Sequence, residues 1–260
     1  MSNSKQLRPR LNKLRLRVLE LAAAAQEGHI PSAFSILDLV WVWFAAQGDR
    51  ISCQDRFILS KGHGSLGLYV VLEALERLSA DTLDQFCEFD SNFGGHPDRC
   101  KLPEVIASTG SLGHGLPIAV GLALNYKNHQ KDGLVCCLIG DGESNEGSIW
   151  EAALVASQLE LDNLICVVDN NRSGERAIQV SNKLCAMFDA SGWESLEIDG
   201  HNHQSIFDSF FGSKPSGRPV AIIANTTKGL GVDFMENNPE WHHKTISPAE
   251  VEALRASLCQ

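Results

Sequence analysis

The sequence predicts an α/β domain in which helices cover both faces of a parallel β-sheet. Apolar runs of strand length, such as 134–139 and 164–168, are continuously hydrophobic, which is typical of parallel strands buried on both faces. Helical stretches separate successive runs and favour right-handed βαβ crossovers. Of the 260 residues, 43% are hydrophobic and 21% are charged, an ordinary composition for a chain with a sizeable core.

Hydrophobic periodicity assigns the elements in chain order. The predicted strands are 134–139, 164–168, 195–198 and 220–224. The predicted helices are 5–26, 35–46, 64–78, 81–89, 113–128, 147–159, 181–191 and 203–211. With neither a low-complexity linker nor an internal repeat, residues 1–260 are expected to form a single domain. Ligands of such sheets bind beyond the carboxyl ends of the strands, so we expect the chemistry just after each apolar run.

Charge and hydropathy argue against two classes of function. The net charge of −10 offers no basic surface for nucleic acid, although a few local cations can still hold a small anion. No apolar run approaches the ~20 residues of a membrane-spanning helix, so no membrane association is expected.

Cysteine usage and the N-terminus bear on localisation. The eight cysteines form no CxxC pair, and without a signal peptide they indicate a reducing, cytoplasmic location. Cys136, Cys137 and Cys166 lie in apolar runs and are predicted core residues. Six basic residues precede the first acid, Glu20, as in an organellar presequence. The helical period continues unbroken to Ala25, however, which favours a basic first helix.

A polar turn follows the run 134–139. Gly140 and Gly142 flank Asp141 and allow a sharp turn and close approach of a ligand. The helix predicted from Gly147 points its N-terminus at this turn, which favours an anion such as a diphosphate. Gly-Asp-Gly is also a common generic turn, so this motif alone is a weak signal.

A second polar turn follows the next apolar run, and its oxygens complement those of the first. Asp141 offers a carboxylate, Asn171 an amide oxygen and Ser173 a backbone carbonyl. Three protein oxygens, two diphosphate oxygens and one water would complete the octahedral shell that Mg²⁺ prefers. Each turn alone could simply cap a helix, but the two after consecutive strands predict a Mg²⁺-diphosphate site.

The spacing of Gly-Asp-Gly and Asn171, with 28 residues between Gly142 and Asn171, resembles the thiamine diphosphate signature. Further segments, in family order from about residue 10 to 250, resemble the N-terminal, diphosphate-binding part of transketolases. These segments are 28–29 (GH), 55–63 (DRFILSKGH), 95–97 (GHP), 108–115 (STGSLGHG), 226–231 (TTKGLG) and 241–244 (WHHK).

The resemblance implies a thiamine-diphosphate-binding fold, with Mg²⁺ held by Asp141, Asn171 and the Ser173 carbonyl. It implies cofactor contacts for His63, Gly110, Leu112, Gly142, Glu146, Asn171 and His242. It implies catalytic roles for His29, His63, His96, His242 and Glu146. Imidazoles suit such a site because they donate, accept and transfer protons near neutral pH.

Glu146 matches the family position that hydrogen-bonds the catalytic glutamate of a partner pyrimidine-binding domain. The alternative is that it caps the helix beginning near Gly147, and the two roles are compatible. Three lysines could balance a diphosphate or a substrate anion, although a solvated lysine is the default. They are Lys61, Lys228 and Lys244, and Lys244 is the preferred candidate because it is two residues from His242.

Several positions depart from the family pattern. Ile30 follows His29 where the family has proline, Ser111 replaces proline and His114 replaces glutamine, and His243 replaces glycine. Ser111 with His114 resembles divided transketolase-like proteins. The remaining histidines, His129, His201 and His203, have no matched context and are expected to be structural.

No second βαβ series supplies a pyrimidine-binding or C-terminal domain in this chain. The resemblance thus implies one subunit of a split enzyme, with a separately encoded C-terminal-type partner, in a heterotetramer. Its reaction would transfer a two-carbon ketol unit between sugars or sugar phosphates. The alternatives are the alpha subunit of a 2-oxo acid dehydrogenase, which the SKGHG and GHPD segments oppose, and a cofactor-binding scaffold without activity.

Overall fold

A computed structural model of the chain describes residues 4–46, 54–173, 182–212, 217–242 and 244–258, with side chains in the first helix described from residue 10. The strands are β1 (Arg56–Leu59), β2 (Val135–Gly140), β3 (Leu164–Asn170), β4 (Glu194–Asp199) and β5 (Val220–Asn225). All five are parallel and form one sheet in the order β1-β2-β3-β5-β4. The predicted fold class is confirmed, and every strand's carboxyl end lies at the same edge of the sheet.

Eight of the α-helices among the described residues overlap the predicted ranges, and one more, at the C-terminal end, was assigned no range from the sequence. They are α1 (Ser4–Ala25), α2 (Ile30–Ala46), α3 (Ser65–Ala74), α4 (Ala80–Leu83), α5 (Gly115–Asn128), α6 (Gly147–Gln158), α7 (Leu184–Ala190), α8 (His203–Phe211) and α9 (Pro248–Leu258). The largest error is α4, which has four residues where nine were predicted. Cys87 and Asp90 adopt left-handed conformations with φ of 59° and 60°, which are incompatible with a continued helix.

The predicted elements did not include β1. Its four residues are too few to establish a periodicity, and its side chains are buried from Phe57 to Leu59. The strand is held by its parallel register with β2, in which Arg56 pairs with Val135 and Leu59 with Leu138. A long-range pairing therefore creates this strand and places Ser60 and Lys61 at the carboxyl edge.

Two hydrophobic cores cover the two faces of the sheet. One contains α1, α2, α3, α8 and α9, and the other contains α5, α6 and α7. Helix α2 lies deep in the first core and is buried from Ile30 to Trp43. Cys136 faces the first core and Cys137 and Cys166 face the second, and all three are fully buried as predicted.

Among the described residues, no helix is both long enough and apolar enough to cross a membrane.

Candidate functional site

Asp141 and Asn171 leave the sheet on neighbouring strands. The register of β2 and β3 pairs Gly140 with Asp169, so Asp141 comes one residue after this pair and Asn171 two residues after it. The backbone N–H of Asp141 donates to the Asp169 carbonyl at 3.2 Å. Both side chains are buried, at 3% and 6% exposure, in this turn region. The structure thus places the two residues that the sequence paired as metal ligands just beyond the ends of adjacent strands.

Hydrogen bonds fix the orientation of the Asn171 amide. Its Nδ2 donates to Asp169 Oδ2 at 3.0 Å and to Ser35 Oγ at 3.3 Å, and its Oδ1 accepts from the Ser173 N–H at 3.0 Å. A carboxylate only accepts and a backbone N–H only donates, so the amide cannot be flipped. The oxygen therefore points away from the buried carboxylate, and it has a second lone pair with which to ligate a cation.

Asp169 is the buried centre of this arrangement. It is 0% exposed and accepts from Lys61 Nζ, Thr226 Oγ1, Ser35 Oγ and Asn171 Nδ2. A buried carboxylate needs such donors because desolvation of an unpaired charge is costly. Sequence reasoning overlooked Asp169, although an acidic residue within a continuous apolar strand was an available signal.

Glu143 joins three segments around the same edge. Its Oε1 accepts from Ser60 Oγ and from the Gly113 N–H at 2.9 Å, and its Oε2 accepts from the Gly140 N–H at 3.2 Å. Burial raises the pKa of the Glu143 carboxyl, while these hydrogen bonds oppose the rise. The residue was not predicted, and its acceptors tie the segments after β1 and β2 to the loop before α5.

Three of the predicted histidines form a cluster. The ring centroids of His29 and His63 are 5.3 Å apart, and those of His29 and His242 are 6.0 Å apart. Burial, reinforced by the charge of Lys61, lowers the pKa of His63 to about 2. With its pKa lowered in this way, His63 is uncharged at neutral pH.

His96 lies beside the glycine-rich loop that the sequence assigned to the cofactor. Gly110 has φ of +153°, and a Cβ at Gly110 would lie 3.2 Å from the His96 ring. A Cβ at Gly62 would lie 3.0 Å from the Gly110 N atom, so this loop adjoins the histidine cluster as well. Leu112 is half-buried in the same loop, and its carbonyl contacts His114 Nδ1 at 3.0 Å.

Gly142 and Glu146 bound the short helical turn after Asp141. The Gly142 N–H donates to Asp141 Oδ1 at 2.8 Å. Glu146 occupies the N-cap position of α6, the place that the capping alternative gives it, and its side chain makes no capping hydrogen bond there. Its side chain is exposed, and a Cβ at Gly113 would lie 2.7 Å from the Glu146 Cβ. Glu146 thus stands at the surface, next to the loop before α5.

The three lysines differ in burial and in their contacts. Lys61 is 1% exposed and forms an ion pair with Asp169, and Lys228 is 5% exposed, so the default of a solvated lysine is wrong for both. Lys228 Nζ lies 2.7 Å from His242 Nδ1. Lys244, the preferred candidate, is exposed, with its Nζ 4.6 Å from the Trp241 ring centroid. His243 lies outside the described residues.

The contact with Lys228 also determines the tautomer of His242. An ammonium group only donates, so His242 Nδ1 accepts and the ring proton is assigned to Nε2. His242 is exposed, so this N–H can donate to a ligand at the edge of the sheet.

The oxygen donors fit a hard divalent cation. Asp141 offers a carboxylate and Asn171 an amide oxygen of fixed orientation, which suits Mg²⁺ rather than a thiophilic metal. Among the described residues, no group of three or more His, Cys, Asp or Glu side chains could hold a metal by itself. A cation here would therefore need further oxygens, such as those of a diphosphate.

The chain is similar in sequence to proteins of one known family. A family model described as transketolase, thiamine diphosphate binding domain, matches residues 8–259. The chain is 37% identical to one of the subunits of the apulose-4-phosphate transketolase of Phocaeicola vulgatus over 253 residues, which are 92% of this chain and 89% of that protein. It is 43% identical over 209 residues to the protein of the same name from Actinobacillus succinogenes, covering 79% of this chain and 76% of that one.

Longer transketolases match over part of their length. Human transketolase is 35% identical over 262 residues, which are 95% of this chain and 41% of that protein. The crystal structure of Campylobacter jejuni transketolase superposes with a TM-score of 0.83 at 28% identity, covering 98% of this chain and 43% of that one. The resemblance found in the sequence is confirmed, and thiamine diphosphate is the cofactor of this domain type. The chain therefore belongs to the transketolase family, and it corresponds to the thiamine diphosphate binding domain of that family.

Proposed function

We propose that this chain is the cofactor-binding, N-terminal-type subunit of a two-chain transketolase. With a separately encoded C-terminal-type partner it would transfer a two-carbon ketol unit from a ketose phosphate to an aldose phosphate. The observation that carries the proposal is that Asp141 and Asn171 follow the ends of adjacent strands, with the Asn171 amide oxygen directed away from the buried Asp169 carboxylate. Two relatives that the chain largely covers are themselves named as one subunit of a transketolase.

In this proposal, Asp141, Asn171 and the Ser173 carbonyl would hold Mg²⁺, which would supply positive charge to balance the diphosphate. When bound, thiamine diphosphate supplies the carbanion-stabilising chemistry of the reaction. Gly142 would approach the diphosphate through its backbone, and Gly110 and Leu112 would line the remainder of the cofactor. The positive φ of Gly110 and the contact that a Cβ there would make with His96 support close approach at this loop.

The histidines would supply the hydrogen bonds and proton transfers that this chain contributes to the reaction. His242 presents an N–H because Lys228 donates to its other nitrogen. The neutral ring of His63 can donate to a phosphate oxygen without adding charge, and His29 lies against both rings. His96, beside Gly110, would contact the sugar. Together these four groups would bind hydroxyls and transfer protons.

A partner subunit would cover the exposed end of the site. Glu146 is exposed at the start of α6 and would hydrogen-bond the partner's catalytic glutamate. Helices α5 and α6 expose Ile118, Leu154 and Val155, at 43%, 59% and 48%. Large exposed apolar side chains on two adjacent helices are typical of a protein interface. We propose a heterotetramer in the cytoplasm, with apulose 4-phosphate as the first donor to test because two relatives bear that name.

The test is cofactor binding by the reconstituted pair. Asp141→Ala should abolish Mg²⁺-dependent binding of thiamine diphosphate, measured by calorimetric titration, because it removes the only carboxylate of the proposed metal ligand set. Asp132→Ala is the matched control, since Asp132 precedes the other end of the same strand and should leave binding unchanged. Unchanged binding by Asp141→Ala would refute the metal assignment.

The two-chain requirement is tested separately. The purified chain should show no ketol transfer, and addition of the C-terminal-type partner should restore it. Transfer by the chain alone would contradict the requirement for a partner, and no transfer by the cofactor-loaded pair against a ketose panel would favour the scaffold alternative.

A further inference from the structure

A buried polar cluster lies outside the predicted set of site residues. Asp38, in the middle of α2, is 3% exposed, and its Oδ2 contacts His201 Nδ1 at 2.9 Å. Its Oδ1 contacts His203 Nε2 at 2.6 Å, and Arg15 Nη2 lies 3.6 Å from Oδ2. The Arg15 charge balances the carboxylate, so the cluster does not require a protonated histidine.

His201 makes a second contact, and this contact reaches the site. The backbone N–H of Thr227 donates to His201 Nε2 at 2.8 Å. Since Nε2 accepts, the proton of His201 is on Nδ1, where it donates to Asp38. His201 follows the carboxyl end of β4 and Thr227 follows that of β5, two strands paired through Asp199 and Asn225. The imidazole thus bridges a buried carboxylate and the loop after β5.

The neighbours of Thr227 both contact site residues. Thr226 Oγ1 donates to Asp169, the carboxylate that orients Asn171. Lys228 Nζ donates to His242 Nδ1, and Lys228 is buried. Three consecutive residues of this loop therefore connect His201 to the proposed metal side of the site and to its histidine side.

We infer that Asp38 and His201 form a positioning pair that holds the loop 226–228, so that Lys228 and His242 face the anionic end of the ligand. This inference rests on the proposed function, which places a diphosphate at this edge. His201 accepts a backbone N–H that no other described side chain is seen to accept, so its loss leaves that donor unsatisfied near the site. Neither Asp38 nor His201 would touch the ligand, and both would act through Lys228.

His203 provides a matched control within the same cluster. Its contact with Asp38 is similar to that of His201, and the two side chains are similarly exposed, at 19% and 18%. The contact that the structure gives His203 lies on the Asp38 side, at the start of α8, rather than on the loop 226–228. Loss of His203 thus perturbs the cluster without removing the acceptor of Thr227.

The experiment compares His201→Leu, His201→Gln and His203→Leu in the full chain reconstituted with its partner. We expect His201→Leu to raise the Kd for thiamine diphosphate with Mg²⁺ by about tenfold or more, the usual cost of losing an outer positioning group. His201→Gln should retain most of the affinity, because one carboxamide offers both an acceptor for Thr227 and a donor for Asp38. His203→Leu should change the Kd less than threefold, by about 0.6 kcal/mol or less.

Two readouts distinguish positioning from general destabilisation. Hydrogen–deuterium exchange of the chain without cofactor should show faster exchange across 226–228 in His201→Leu than in His203→Leu. In a double-mutant cycle, His201→Leu combined with Lys228→Met should bind no more weakly than Lys228→Met alone, because both changes act through the same group. Additive losses would overturn the inference.

Other outcomes are equally decisive. Equal exchange in the two histidine variants, or equal increases in Kd, would overturn the positioning role. If the unaltered pair bound no thiamine diphosphate, the proposed function would fail, while the exchange comparison would still judge whether His201 holds the loop. If His201→Leu did not fold, Asp38→Asn would take its place in the comparison against His203→Leu, with His201→Gln still expected to retain most of the affinity.

Discussion

The floor and the rim of the candidate site differ in how their polar groups are satisfied. The floor comprises Lys61, Glu143, Asp169 and Asn171, all buried, and their hydrogen bonds and ion pair are made within the chain. The rim comprises His96, Glu146 and His242, all exposed. The floor is therefore organised before any ligand arrives and contributes to folding, whereas the rim is positioned to meet a substrate or a partner. Substitutions should separate these two roles.

The largest effect on stability is expected when the buried ion pair of the floor is broken. Lys61→Met leaves the Asp169 carboxylate buried without its cation and should lower the free energy of unfolding by ~3–5 kcal/mol. Urea denaturation measures this change. The control Lys244→Met alters an exposed lysine and should stay within ~0.5 kcal/mol. Equal losses in the two variants would contradict the distinction between floor and surface.

A smaller loss of stability is expected for Glu143→Gln. The amide places a donor where the carboxylate accepted from Ser60, Gly113 or Gly140, so one of these donors loses its acceptor. The expected cost is ~1–3 kcal/mol in urea denaturation. Glu151→Gln, at an exposed position of α6, is the control and should have little effect. An unchanged free energy of unfolding in Glu143→Gln would show that the three segments do not depend on this carboxylate.

The pH dependence of stability should report the neutral His63. Its pKa is lowered from 6.5 to about 2, so below pH 6.5 the unfolded chain binds a proton that the folded chain does not. His63 should therefore cause stability to fall as the pH falls below about 6.5, and His63→Asn should flatten that part of the curve. Urea denaturation from pH 7.5 to 5.5 tests this, with His129→Asn as an exposed control. Identical slopes for all three proteins would contradict the lowered pKa.

The smallest effect on stability is expected at the rim. Glu146→Gln should change the free energy of unfolding by less than ~0.5 kcal/mol, because the side chain is exposed. In the reconstituted pair it should nevertheless reduce the transfer rate by about tenfold or more, the equivalent of ~1.4 kcal/mol from one lost hydrogen bond to the partner. Glu151→Gln again serves as the control. If Glu146→Gln transferred ketol units as fast as the unaltered pair, the proposed contact with the partner's glutamate would be contradicted.

The sequence-based predictions succeeded where the signal is local and failed where it depends on contacts between distant segments. The predicted strands 134–139 and 164–168 lie within or beside the observed β2 and β3, and Asp141 and Asn171 follow them, because continuous apolar runs and glycine turns are local signals. Strand β1 was missed because four residues carry no periodicity and their pairing is with β2, far along the chain. The burial of Lys61 and Lys228 was missed for a similar reason, since the position of a lysine in a sequence motif says nothing about its burial.

The sequence by itself determined the fold class, the family and the two turns that supply oxygen ligands, since these depend on residue type and spacing along the chain. Only the tertiary structure decided which charges are buried and which partners satisfy them. Lys61 meets Asp169, Ser60 meets Glu143 and Asp38 meets His201 across long separations in sequence. Whether such a group is a solvated charge or a buried, paired one depends on distance and desolvation in three dimensions, and these physical quantities set its protonation and its role.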